Sequence, residues 1–166
     1  MNGFEIEPWH DFFVAQAGAG AALAGLVFVS ISINLQRVMG VPTLVGRAAE
    51  ALILLLALLI VAMCDLIPGQ GRYWLGAELV VAGTVFWVAI LRLRPNKATA
   101  RAAGASAFNH AVRVSLAQLG TLPVVIGGAS LLAGIGGGLY WLAPAALFCL
   151  AGGVVGAWVL LVEILR

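Results

Sequence analysis

Charge is what this chain has least of. Only 10% of its 166 residues are Asp, Glu, Lys or Arg, against about 25% in an ordinary soluble domain, which leaves too little polar surface to clothe a water-soluble fold. Cysteine is almost as scarce. Cys64 and Cys149 both sit inside apolar runs and read as small packing residues, since a disulfide framework or a metal centre needs more ligands nearby. The sequence has no glycine-rich phosphate loop, no metal-ligand cluster and no nucleophile spaced to meet a base. Its two histidines, His10 and His110, fall on opposite sides of the membrane in the topology below. These absences argue against an enzyme, a cofactor and a metal. The net charge of +2 is spread over short polar gaps, which is no nucleic-acid footprint. The opening stretch MNGFEIEPWHDFF carries Glu5, Glu7 and Asp11 and lacks a positive leader, so it is not expected to be a cleaved signal peptide.

What the chain does have is long apolar runs. A bilayer-spanning helix takes roughly 20 mostly apolar residues, and five segments satisfy this: about 12–36, 48–67, 73–93, 111–132 and 139–165. Backbone exposed to lipid must satisfy its own hydrogen bonds, so runs of this length are read as helices and not as barrel strands. The expected fold is all-α, a polytopic integral membrane bundle of five helices. It forms one transmembrane domain, 1–166, with lipid as its surroundings.

The polar gaps set the orientation. The loop from Arg92 to His110 carries Arg92, Arg94, Lys97 and Arg101, and Arg113 follows it. Under the positive-inside rule this end is cytoplasmic. Arg37, Arg47 and Arg166 fall on the same side, so that of nine Lys and Arg residues only Arg72 lies outside. Trp9, Tyr73, Trp74, Tyr140 and Trp141 gather at the outer end, as an interfacial aromatic belt would. The expected arrangement is N-out and C-in, in a bacterial plasma membrane.

The first segment carries two seams. At about 100° per residue, Gln16, Gly20, Leu23, Val27, Ser30, Asn34 and Arg37 share one face. Polar groups at its ends bracket Leu23 and Val27, so a ring of such helices would enclose a path with polar mouths and an apolar constriction. Gly18, Ala22 and Gly25 share the opposite face, where small residues let helices approach closely. Two such seams predict that the first helix is buried among others. The second segment, bulky and featureless, is the expected lipid-facing helix. Gly152 and Gly156 supply a further packing seam on the fifth, and Pro123 removes a backbone donor to Leu119, predicting a kink in the fourth.

The ionisable groups read as boundary features. Glu50 lies one turn after Arg47, an interfacial pair, and Asp65 and Glu78 flank the tight turn holding Arg72, which predicts a local ion pair or water-facing acids.

The stretch WHDFFVAQAGAGAALAGLVFVSISINL, Trp9 to Leu35, followed by GRAAEALILLL, Gly46 to Leu56, resembles small actinobacterial polytopic membrane proteins of unknown function, some of which carry the label of modulator of an FtsH-type protease. The resemblance implies an accessory role and brings no functional residues. The spacing of Leu23, Val27 and Asn34 is similar to that of the Orai pore helix, although no acid stands at its mouth and calcium selectivity does not follow. The expectation is a homo-oligomer with a path for a small ion or solute along the first helix. The alternative is a non-catalytic subunit or modulator of a larger membrane complex.

Overall fold

A computed structural model describes residues 3–93 and 107–165, with side chains described except at 42–43, 107–110 and 159–165. The described residues form helices and no strand: α1 His10–Ile33, α2 Leu35–Gly40, α3 Pro42–Asp65, α4 Arg72–Leu93, α5 Ala107–Ala133 and α6 Leu142–Leu165. Short 3-10 turns, Glu7–Trp9 and Gly138–Trp141, precede α1 and α6. Five spans are long and apolar enough to cross a membrane: Glu7–Ile33, Leu44–Asp65, Arg72–Leu93, Ala111–Ala133 and Gly138–Trp158. The chain is a multi-pass membrane protein by length and composition.

The corners differ from expectation at the first connection. Residues 37–47 were expected to be a polar loop, but α2 and the first turn of α3 occupy them. Asn34, at φ −109° and ψ 22°, interrupts the helix. Val41 is extended ahead of Pro42, the conformation a following proline imposes, and Pro42 starts α3 where a missing N–H costs nothing. The corner between α5 and α6 is built from glycine. Gly134, Gly136, Gly137 and Gly138 all have positive φ, between 56° and 102°, a region other residues enter only at a cost. Ser130 ties this corner together, donating to the Ile135 carbonyl while accepting from the Gly138 N–H at 2.8 Å.

In cyclic order α3, α4, α5 and α6 each pack against the next, and α6 closes back on α3. The α1 helix lies outside this ring, against α3 with a lesser contact on α6. Two expectations are thereby reversed. The featureless second segment is no lipid-facing helix: it is central, burying Ala48, Ala51, Leu54, Leu55, Leu58 and Ala62 against its neighbours. The first segment is peripheral, with 22% of its span buried against 44% for α3. In a bilayer, lipid and protein core are equally apolar, so hydropathy does not distinguish a central helix from an outer one.

Glycine also sets the crossing of α4 and α5. A Cβ added at Gly76 would meet the Gly128 carbonyl at 2.9 Å, and one at Gly83 would meet the Val125 nitrogen at 3.1 Å. The α6 helix closes on α3 in the same way. A Cβ at Gly152 would meet Leu54 at 2.8 Å, and one at Gly156 would meet Ala51 at 2.9 Å. Polar side chains tie the ring at several levels. Trp87 Nε1 donates to Gln118 Oε1 at 2.6 Å, and Cys149 Sγ donates to the Gly120 carbonyl at 3.3 Å. Arg113 pairs with Glu50. The helix α5 runs unbroken through the buried Pro123, and Thr121 Oγ1 donates to the Ala117 carbonyl at 2.8 Å.

Candidate functional site

The two seams of α1 have different surroundings. On the first, Gln16, Gly20 and Val27 are buried. Gln16 Nε2 donates to the Leu58 carbonyl of α3 at 2.9 Å, and a Cβ at Gly20 would stand 3.3 Å from the Leu59 nitrogen. Leu23 is half-buried on the same side. The seam read as pore-lining is therefore turned, over its first three turns, toward the chain's own central helix.

The polar side chains at the end of α1, Ser30 and Asn34 on that seam and Ser32 on the other, are satisfied locally. Ser30 Oγ donates to the Leu26 carbonyl at 2.8 Å, Ser32 Oγ to Phe28 at 2.9 Å, and Asn34 Nδ2 to Ser30 at 3.1 Å. Each bond reaches back four residues, the local competition for backbone carbonyls that Ser and Asn offer and that bends or ends helices. Arg37 is exposed and belongs to α2, past the interruption at Asn34, so it does not continue the α1 face.

The second seam is open. Gly18, Ala22 and Gly25 are exposed, and among the described residues nothing lies within 4 Å of a Cβ built at Gly18 or Gly25. Val29 and Ser32 extend the stripe toward the far end of the helix. Leu26 and Phe28, 64% and 63% exposed, flank it at about 80° on either side of the Gly18 direction, at 100° per residue. The result is a stripe of mostly small residues set between two bulky apolar ones.

At the end where the N-terminal residues lie, Trp9 packs edge-on against Tyr140 at 5.0 Å, and the Leu139 N–H donates to the Gly3 carbonyl at 2.8 Å. Tyr73, Trp74, Tyr140 and Trp141 are exposed at this end. Arg72 does not reach the acids beside it. Its guanidinium donates to the Tyr73 hydroxyl at 2.7 Å and lies over that ring at 4.6 Å, while Asp65 is only 4% exposed. Neither the expected ion pair with Arg72 nor a water-facing Asp65 is formed. At the opposite end Glu50 takes Arg113 from α5; Arg94, Lys97, Arg101 and Arg166 lie outside the described residues.

Sequence reading missed Gly76, Gly83 and Gly128 as packing residues. The seven-residue spacing of Gly76 and Gly83, which puts both on one face, was the available signal. Among the described residues, no group of three or more His, Cys, Asp or Glu is placed to hold a metal. No protein-family model, curated protein or solved structure matches the chain.

Proposed function

We propose that this chain is a non-catalytic membrane assembly protein that associates with a second copy of itself through the Gly18, Ala22 and Gly25 face of α1. The single observation behind this reading is that face, apolar, lined by small residues and unoccupied among the described residues, on a helix whose other face is already packed. Copies inserted in the same direction meet at equal depth, so a two-fold pair sets glycine against glycine and alanine against alanine. Close approach of backbones then supplies the packing energy that the hydrophobic effect does not supply between helices in lipid. A foreign helix would need a small face of its own at matching depth.

The orientation that goes with this reading is N-out and C-in, in a bacterial plasma membrane. Arg37, Arg47, Arg92 and Arg113 toward one end and the aromatic residues at the other support it. A permeation path along Gln16, Gly20 and Val27 is less favoured, because α1 would have to leave α3 to open it. Cysteine cross-linking in native membranes tests the association. Ala22→Cys is expected to form a covalent dimer of this chain on mild oxidation, while Gly20→Cys on the packed face does not. A foreign protein cross-linked at Ala22→Cys, with no dimer, would favour the alternative of an accessory subunit, to which the likeness to protease modulators also points.

A further inference from the structure

Residues 3–9 lead into α1 and run across the glycine corner between α5 and α6. Gly3 is buried there. Its carbonyl accepts the Leu139 N–H at 2.8 Å, and a Cβ at Gly3 would run into the Gly137 carbonyl and stand 2.6 Å from the Tyr140 ring. Phe4, Ile6 and Trp9 pack against the core cluster that holds Phe13, Leu139 and Leu142. Trp9 joins the two sides, stacked on Phe13 at 6.2 Å and edge-on to Tyr140 at 5.0 Å. The start of a helix that lies outside the ring is thus tied across to α6.

Farther along, α1 is held by less. Gln16 bonds Leu58 through its amide nitrogen, but its buried Oε1 has no hydrogen-bond partner among the described residues, and an acceptor left so weakens the contact that buries it. Of the described residues of α1 past Gly20, Val27 alone is buried. Ser30, Ser32 and Asn34 then bond back four residues, and the helix breaks at Asn34, an element end of the kind that absorbs a hinge rotation. Apolar side chains that leave the protein meet lipid, which is as apolar as the core. Directional contacts, concentrated at the start of α1, therefore decide whether the helix stays in place.

We infer that residues 3–9 are a latch, and that α1 turns away from α3 about Asn34 when the latch is undone. The device is independent of the Gly18, Ala22 and Gly25 face, because it is read within one chain whether or not copies associate.

The test is distance measurement by pulsed electron spin resonance on the chain in mild detergent, with Cys64→Ala and Cys149→Ala as background. Excess unlabelled chain is added so that only distances within one chain are read. One spin label is placed at Leu147→Cys on α6. The other is placed at Val14→Cys, near the start of α1, or at Ile33→Cys, beside the hinge; the three side chains are 66%, 49% and 77% exposed. Val14 stands about 30 Å from Asn34 along the helix, so a small turn moves it by several ångströms. With the latch intact a single distance is expected for each pair. Gly3→Val, whose side chain has no room against Tyr140, is expected to add a longer population at Val14 and to leave Ile33 unchanged. Deletion of residues 2–6 should do the same, and carries the test if Gly3→Val does not fold. Unchanged Val14 distances in a folded variant overturn the latch, and equal shifts at Val14 and Ile33 overturn the turn about Asn34. Loss of cooperative thermal unfolding in both variants also overturns the proposal, because the segment is then part of the fold itself.

Discussion

The side-chain amide of Gln16 on α1 donates to the backbone carbonyl of Leu58 on α3 at 2.9 Å. That carbonyl lies in the interior of a helix, so the bond is an addition to the helical ladder. It fixes which face of α1 looks inward. With Gln16 and Gly20 against α3 and Val27 buried on the same side, the Gly18, Ala22 and Gly25 stripe faces none of the described residues.

The open glycines of α1 and a packed glycine of α5 are expected to respond oppositely to alanine. At Gly18 and Gly25 there is open space, so Gly→Ala should be neutral or stabilise the isolated fold by about 0.5–1 kcal/mol through helix propensity. At Gly128 a Cβ would meet the Gly76 carbonyl at 2.7 Å and the Val80 nitrogen at 2.8 Å. Backbone must move there, and Gly128→Ala should cost about 1–3 kcal/mol. Thermal unfolding in one detergent, compared across the three variants, checks the contrast.

The Glu50 and Arg113 pair connects α3 to α5 with side chains 15% and 31% exposed. Replacing one partner removes this charged contact from a partly buried site. Glu50→Gln or Arg113→Gln alone should cost about 1–3 kcal/mol, and the double replacement less than the sum of the two. A double-mutant cycle by denaturation measures the coupling.

Ser130 serves the glycine corner as both donor and acceptor. Ser130→Ala is expected to lower stability by about 1–2 kcal/mol and to loosen the packing of Trp141, whose Nε1 donates to Gly136 at 2.7 Å. A change in tryptophan emission together with a lower unfolding midpoint would be the signature.

Trp87 and Gln118 bridge α4 and α5 at 2.6 Å. Trp87→Phe should cost about 1 kcal/mol beyond its loss of packing area, because the Gln118 oxygen loses its donor. Adding Gln118→Leu should recover part of that loss, as read by unfolding of the single and double variants.

The number and nature of the membrane-length helices were legible because the signal is length: each run had to be long and apolar enough to cross a bilayer, and each was. Boundaries were less legible. Asn34 and Pro42 act through local hydrogen bonding and φ restriction, which hydropathy does not register, so α2 was read as loop. The greatest divergence concerned burial. Small residues at helical spacing mark a face able to pack, but Gly18 and Gly25 have no neighbour within 4 Å of a built Cβ among the described residues while Gly20, two residues from Gly18, does. Similarly Ala48, Ala51 and Ala62 make α3 slim enough to stand at the centre, a role its leucines concealed. Asp65 and Glu78 were visible as intramembrane acids, but their separation from Arg72 depends on where that side chain turns.

The most direct measurement is the mass of the purified protein in mild detergent, by light scattering with detergent correction, for the unaltered chain and for Gly18→Leu with Gly25→Leu. Open space above both glycines means that the leucines should leave the fold intact. The expected result is a dimer or larger symmetric oligomer for the unaltered chain and a folded monomer for the variant. A unaltered chain that is monomeric, or a variant that keeps its full oligomeric mass, would contradict self-association through this face.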